Sequence, residues 1–327
     1  MFVADRRIGE TMKCKFLNKW FTRILLVCVF VLVYIGGWCQ IHPDPYTTNP
    51  NLKLLVGDTT TDNDTIHCSN PVVSPDGNII YYLCVSGASA ESLGYLGPLM
   101  GSIYSINVNG TNNKKILAGK FDALSISHDG GRLAAHAIKG NYFNPTPESI
   151  ILVIFIDTVG GVDIDSFWIT PKWIEKIEWA SGDGYLYFSA IDYNDFKTTI
   201  YRLNLADSTE EIVKVISGVI GFDLLKIDSV YVDDSIKTQP QIEPVNEKYA
   251  IGTYGFMGED FLMRNFSNDT LYMLSQSCEP YGTGKVGFPY WFPDGNTIVF
   301  AACPYTGPSG APAEIWVLEN VFEQIEE

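Results

Sequence analysis

Charged residues are scarce in this sequence, and basic residues are scarcer than acidic ones. Charged side chains make up 18% of the 327 residues, with 22 Lys and Arg against 38 Asp and Glu, for a formal net charge of −16. A surface of this sign repels phosphate backbones, so nucleic acid is not expected as a partner. The sequence also has no basic patch for anionic lipid.

The spacings that mark common enzyme and metal sites are missing too. There is no H-x-x-x-H, C-x-x-C or G-x-S-x-G spacing, which argues against a zinc site and a serine-hydrolase elbow. Residues 282–287 spell G-x-G-x-x-G, but a strand pattern follows where a phosphate cradle needs a helix. The sequence therefore predicts no catalytic, cofactor-binding or metal-binding residue.

What the chain has in quantity is apolar and turn-forming residues. Hydrophobic residues make up 46% and aromatics 13%, with 29 Gly and 17 Pro. This composition excludes a disordered chain, a coiled coil and a collagen, and it indicates a β-rich globular domain with many turns.

An uncharged stretch near the N-terminus predicts export. Residues 24–38 read ILLVCVFVLVYIGGW and follow four basic residues, Lys13, Lys15, Lys19 and Arg23. A basic region before a short apolar run is typical of a secretory signal, with cleavage here near Cys39. The alternative is an uncleaved membrane anchor, although the run is shorter than the roughly 20 residues of a usual span. Met12 is the expected true start, because Asp5 and Glu10 are atypical of such signals.

These features divide the chain into a signal or anchor at residues 1–40 and one domain at 41–327. The first segment holds six basic and two acidic residues, so the second keeps 16 basic and 36 acidic ones, a net charge of −20. We expect this domain to be secreted, periplasmic or at the cell surface; the alternative is attachment to the membrane through residues 24–38.

A repeat runs through the second segment. S-P-D-G at 74–77 returns as S-H-D-G, S-G-D-G and F-P-D-G, with the aspartates 53, 54 and 111 residues apart. The last gap is close to two periods, and a worn copy is expected at Val245–Lys248. Asp caps such a turn and Gly takes its left-handed position. The structural turn residues are Asp76, Gly77, Asp129, Gly130, Asp183, Gly184, Asp294 and Gly295.

Each repeat predicts a four-stranded antiparallel sheet. A strand precedes the turn, a second follows it, and a third and often a fourth come later, as in SIYSINV and KKILAG. Sheets of this kind bury their faces when they stack radially, so we predict an all-β fold, a β-propeller. Val73, Ile126, Trp179 and Trp291 precede the turns and should pack between blades.

Two features concern the closure of the ring and the number of its blades. Asn51–Gly57 resembles the fourth strand of the first repeat, so we expect it to complete the last blade and remove an exposed edge. Five repeats are clear, and residues 219–239 are the candidate for an eroded sixth.

The repeat resembles the WD40-like repeat of the TolB β-propeller family. The first copy, PVVSPDGNIIYYL followed by SIYSINVNGTNNKKIL, matches best, and the last, PYWFPDGNTIVFA with EIWVLEN, is nearly as close. The resemblance covers about residues 65–321. It implies an exported protein that acts as a protein-interaction platform.

Four cysteines lie beyond the signal, and their positions suggest disulfides. Cys68 lies eight residues before Asp76 and Cys84 eight after it, so antiparallel pairing places them opposite each other. Cys278 and Cys303 flank the last hairpin in a similar way. We predict both bonds, since an even set of cysteines fits an oxidising compartment; the alternative is four buried free thiols.

Acidic clusters and histidines offer few ligands. The acidic clusters are Asp58, Asp62 and Asp64; Asp163 and Asp165; Asp192 and Asp195; and Asp233 and Asp234. They are expected to be solvated loop acids, with a calcium ion on a loop or in the channel as the alternative. Of the four histidines, His136 is expected to be a satisfied core residue.

The sequence therefore favours a non-enzymatic scaffold that binds an envelope or extracellular protein. Its expected surface is the face with long loops at Gly87–Met100, Lys139–Glu148 and Pro304–Pro312. The alternatives are a metal-dependent propeller enzyme of lactonase or lyase type and a propeller that binds glycans or peptides.

Overall fold

The structure is a computed structural model. It describes residues 49–57, 66–86, 101–139, 148–156, 162–169, 173–192, 195, 197–218, 223–224, 229–232, 238–254, 260–274, 285–303 and 314–325. The chain divides into two compact units, residues 1–44 and 45–327, and every described residue lies in the second.

The first two blades share one continuous strand. Their strands are β2 (Ile66–Val73), β3 (Ile79–Ser86), β4 (Gly101–Asn107), β5 (Lys114–Ile126), β6 (Arg132–Lys139), β7 (Glu148–Ile156) and β8 (Val162–Ile169). The first part of β5 pairs with β4 as the outer strand of blade 1, and its second part pairs with β6 as the inner strand of blade 2. A seven-stranded antiparallel sheet results.

Blades 3 and 5 are separate four-stranded antiparallel sheets. Blade 3 contains β9 (Trp173–Trp179), β10 (Tyr185–Asp192), β11 (Lys197–Asn204) and β12 (Glu210–Ser217). Blade 5 contains β15 (Thr238–Ile242), β16 (Tyr249–Tyr254), β17 (Asp260–Asn265) and β18 (Thr270–Met273).

Blade 4 is reduced to a two-stranded sheet between them. β13 (Asp223–Leu224) pairs with β14 (Val230–Tyr231). Val230 and Val232 still pack on the buried Tyr187 and Ile200 of blade 3. A two-stranded sheet thus occupies the place of the eroded sixth repeat expected within residues 219–239.

The last blade is closed by the N-terminal strand. It contains β19 (Lys285–Trp291), β20 (Ile298–Cys303), β21 (Glu314–Leu318) and β1 (Leu52–Val56), and a short 3-10 helix at Val321–Gln324 follows. β1 pairs antiparallel with β21, with Leu52 opposite Leu318. The expected closure is confirmed.

Apolar side chains fill the spaces between blades. Val73 packs in a cluster with residues of blade 6, Ile126 in one with blade 1, Trp179 in one with blade 2 and Trp291 in one with blade 5. All four are at most 6% exposed. The four residues expected to pack between blades therefore do so.

The Asp-Gly turns contact one another around one face of the ring. Gly77, Gly130 and Gly295 have positive φ, as turn glycines should. A side chain at Gly130 would lie 3.2 Å from Pro75 of blade 1, and one at Gly295 would lie 2.3 Å from Glu243 of blade 5. Glycine is therefore required both by the turn and by the neighbouring blade.

The third turn differs from the sequence alignment of the repeats. Gly182 and Asp183 have positive φ, whereas Gly184 does not. The Asp183 amide donates to Ala180 O at 3.0 Å, the role that Gly77 plays toward Ser74 in the first turn. The extra residue of this copy thus shifts the turn by one position, and Asp183 occupies the place of a glycine.

Asp183 clamps blade 3 to blade 2. It is 9% exposed, and its carboxylate accepts from the backbone amides of His128 at 3.1 Å and Asp129 at 3.3 Å. It also contacts His128 Nδ1 at 2.9 Å and Arg132 Nη2 at 3.7 Å. Arg132 in turn stacks 4.7 Å over the ring of Trp179.

Replacing Asp183 by asparagine should weaken this clamp. Hydrogen bonds to charged groups contribute about 1.5–3 kcal/mol, so we expect a loss of that size in the free energy of unfolding. Asp183→Asn keeps a side chain that tolerates positive φ. Asp294→Asn is the matched control, because that exposed side chain accepts only from Asn296 and Thr297 of its own turn. Equal losses in urea denaturation would contradict the clamp.

Candidate functional site

The inner strands of the ring surround a central cavity of about 420 Å³. Every blade lines it, in chain order through Asn70, Ser125, Glu178, Asp223, Gln241 and Tyr290. The cavity reaches the turn face, since its lining also includes the turn residues Pro75, His128, Ser181, Pro244 and Pro293. A volume of this size lies within the range of small-ligand pockets, about 300–1,000 Å³.

Strand β9 supplies the charged wall of the cavity. In its sequence WIEKIEW, Ile174, Ile177 and Trp179 pack toward blade 2. The register with β10 shifts where Lys176 and Ile174 pair with consecutive residues, so Glu175 is a bulge residue. Lys176 and Glu178 lie on the opposite side from the apolar residues and meet blade 4.

Lys176 sits among three oxygen atoms. Its Nζ lies 2.5 Å from Glu178 Oε1, 3.6 Å from Asp223 Oδ1 and 2.7 Å from the carbonyl oxygen of Pro240. The side chains of Lys176 and Asp223 are 10% and 9% exposed. This arrangement joins blades 3, 4 and 5 through one buried cation.

Glu178 and Tyr290, which line the cavity, resist ionisation. Burial raises the pKa of Glu178 well above its usual value, and the negative charge of Asp223 raises it further, while Lys176 lowers it. Burial also raises the pKa of Tyr290, to which the charges of Glu178 and Asp223 contribute from the other side of the cavity.

Burial raises the pKa of Glu175 to about 7, and Lys176 offsets only part of that effect. The pKa of a glutamate in the unfolded chain is about 4.3. Between pH 4.5 and 7 the folded state therefore binds more protons than the unfolded state, and the free energy of unfolding falls as pH rises. Glu175→Gln should melt with wild type at pH 5 and roughly 7 °C above it at pH 8. If the melting temperatures of the variant and the wild type differ by the same amount at every pH from 5 to 8, ionisation of Glu175 is not the cause of the pH dependence.

The acidic clusters singled out in the sequence do not line the cavity. Asp163, Asp165, Asp192 and Asp195 are exposed, and Asp58, Asp62, Asp64, Asp233 and Asp234 lie outside the described residues. Within the described part of the chain, no group of three or more His, Cys, Asp or Glu side chains could hold a metal ion. The cavity acids had a sequence signal that was missed: three charged residues, Glu175, Lys176 and Glu178, within one inner strand.

The histidines are explained by the fold. His136 is fully buried on β6, as expected of a core residue, and its Nδ1 lies 2.5 Å from Asp122 Oδ1, but its Nε2 meets no partner among the described residues, so only one of its two nitrogens is satisfied. His67 is buried on β2, and burial lowers its pKa. His128 lies at the cavity mouth bound to Asp183. His42 is outside the described residues.

Cys68 and Cys84 lie directly opposite each other in the β2–β3 hairpin, in the expected register. Both are buried, and the structure contains them as free thiols, so the bond between them stays a prediction. Burial raises the pKa of Cys68, and the hydrogen bond with Cys84 adds to the effect. Of the other pair, Cys278 lies outside the described residues, so that bond is untested as well. Thiol counting by alkylation and mass spectrometry distinguishes the two states.

Apolar side chains are also exposed on the outer strands of the blades. Ile212 and Val215 on β12 are 62% and 57% exposed, and Met273 on β18 is 56% exposed. None of these residues lines the cavity. We call these three residues the rim set; they form a control surface because they lie outside the cavity.

The strand pairing and the packing between the sheets define the chain as a β-propeller. No family model and no curated protein matches it. The similar solved structures include TolB from Acinetobacter baumannii (13% identity, TM-score 0.38, 78% of this chain and 54% of that one). A putative TolB from Agrobacterium tumefaciens is also similar, with 15% identity, a TM-score of 0.37, and coverage of 77% of this chain and 76% of that one. The Myceliophteria thermophila Cps50 (Swd1) propeller domain has 11% identity and a TM-score of 0.46, with coverage of 81% of this chain and 99% of that one. This chain thus spans about half the length of the Acinetobacter protein.

The described residues include no helix that is long and apolar enough to cross a bilayer. Residues 24–38, the predicted signal or anchor, lie outside them. Export therefore remains a prediction from the sequence.

Proposed function

We propose that this protein is an exported, non-enzymatic propeller of the cell envelope that binds a partner protein at the mouth of its central cavity. The observation that supports this most is the cavity itself. Residues of every described sheet contribute to it, it reaches the turn face, and it contains buried charges. A rigid ring that holds such a concave site is suited to recognition.

The turn face differs from the face expected from the sequence. The long loops at 87–100, 139–148 and 304–312 fall almost wholly outside the described residues, so the structure leaves them untested. We place the binding surface on the turn face because the cavity lining includes residues from four different turns, Pro75, Ser181, Pro244 and Pro293.

The test is co-purification from the native envelope. The tagged full-length chain is cross-linked, purified and compared with a mouth variant, Ser181→Arg, and a rim variant, Ile212→Arg. We expect a stoichiometric envelope protein with wild type and Ile212→Arg, and its loss with Ser181→Arg. Both substituted side chains are exposed, so neither change should unfold the ring.

Metal analysis of the same sample tests the enzymatic alternative. A tightly held divalent ion in each chain, with no partner, would overturn the scaffold proposal and direct attention to channel chemistry. Loss of the partner only with Ile212→Arg would move the binding surface to the rim.

A further inference from the structure

The cavity contains polar atoms that no other described residue satisfies. Among the described residues, Glu175 Oε2 and Glu178 Oε2 are buried and meet no hydrogen-bond donor. Both residues line the cavity. Buried polar atoms are seldom left unsatisfied in proteins, because each then loses its water without replacement. These atoms therefore indicate a ligand.

The wall shows which chemical group it accepts. Glu178 Oε1, Asp223 Oδ1 and Pro240 O together hold the ammonium of Lys176 at 2.5–3.6 Å. When ionised, the carboxylates of Glu175 and Glu178 accept hydrogen bonds and donate none, so their second oxygens beside the ammonium require a donor. A group that donates N–H bonds and carries positive charge satisfies both oxygens, whereas an anion would be repelled by the negative charge of the carboxylates.

An organic cation fits better than a metal ion. Within the described residues no group of three or more His, Cys, Asp or Glu side chains is placed to ligate a metal. The aromatic residues Tyr290 and Trp291 of blade 6 also line the cavity. Aromatic and aliphatic surface suits the apolar stem of an alkylammonium or guanidinium group.

We propose that the cavity binds an organic cation, an alkylammonium or guanidinium group, through Glu175 and Glu178. The inference rests on the proposed function, in which this group is a lysine or arginine side chain of the partner that enters from the turn face. A free diamine has the same chemistry and is the other source. Glu175 then ionises as the cation binds, so binding releases a proton and strengthens as pH rises toward 8.

Calorimetric titration of the full-length protein tests the inference. The probes are N-acetyl-lysine methylamide, N-acetyl-arginine methylamide, cadaverine and the neutral N-acetyl-norleucine methylamide. We expect saturable binding of one cation per chain and at least roughly tenfold weaker binding of norleucine, as for a lost buried charge contact. Tighter binding of cadaverine than of both blocked amino acids assigns the site to a free diamine.

Substitutions locate the binding. Glu175→Gln and Glu178→Gln should each weaken the cation about 10–100-fold. The control is Glu319→Gln, whose carboxylate pairs with Lys53 in the last blade outside the cavity and should leave affinity unchanged. Lys176→Met removes the cation that these carboxylates already hold and should tighten binding at least about tenfold, a gain that a misfolded variant cannot produce.

No saturable cation binding, equal binding of norleucine, or binding unaffected by both glutamine variants would overturn the inference. Its failure is distinct from failure of the proposed function. A partner that is captured at the mouth without cation binding refutes the cation site alone, and cation binding without any partner refutes the scaffold alone.

Discussion

Replacing Lys176 by methionine is expected to lower the free energy of unfolding by about 3–5 kcal/mol, the effect of removing one partner from a buried ion pair. In the described part of the chain, Lys176 is the cation that faces Glu175, Glu178 and Asp223, and its ammonium also binds the Pro240 carbonyl. Without it, the carboxylates repel each other in a site that water reaches poorly.

The matched control is Lys197→Met. Lys197 also pairs with an aspartate, at 3.0 Å from Asp195, but the two side chains are 49% and 61% exposed. Such surface pairs contribute only about 0–1 kcal/mol. Guanidinium unfolding of both variants measures the difference, and a Lys176→Met loss no larger than the Lys197→Met loss would contradict the buried cation's role. Adding Glu178→Gln to Lys176→Met should recover part of the loss.

Removal of the closing strand should have the second large effect. A chain that begins at residue 58 lacks β1 and leaves the β21 edge unpaired. Trp316 and Leu318 of that strand are 3% and 0% exposed in the closed ring. Because each large apolar side chain contributes about 2–5 kcal/mol and whole domains have only about 5–15, we expect loss of cooperative folding or aggregation.

The control for the truncation begins at residue 45. It removes the separate N-terminal unit and keeps β1, so its melting temperature should match that of the full chain. Calorimetry with light scattering compares the two. A chain beginning at residue 58 that melts reversibly within about 2 °C of the control would show that the strand does not close the ring, since a 1 kcal/mol loss already shifts melting by about that much.

Much of the fold could be predicted because its information is local. A turn such as S-P-D-G specifies its hairpin within a few residues, and four copies revealed the radial repeat. The closing strand was also predictable, since Asn51–Gly57 has the pattern of a fourth strand. Blade 4 gave a weak signal because β13 and β14 are two residues long each. The third turn was placed one residue off because its extra residue moves the left-handed backbone from Gly184 to Asp183.

The site was harder to foresee because it is assembled from distant positions. Lys176 and Glu178 lie on blade 3, Asp223 on the eroded blade 4 and Tyr290 on blade 6, so no fixed spacing links them. The available signal was compositional: Glu175, Lys176 and Glu178 charge an inner strand. Sequence reasoning looked for acids in loops, where carboxylates are usually solvated. Acids on the inner strand instead face a cavity that only ring closure creates.

Site-specific photo-cross-linking in the native envelope tests the central claim most directly. A photoreactive residue is placed at Ser181 or Pro244 on the cavity mouth, and at Ile212 or Val215 on the rim. The account predicts one protein adduct from the mouth positions, mapped by mass spectrometry beside a lysine or arginine of the partner, and none from the rim. Adducts from the rim alone, or none at the mouth, would contradict it.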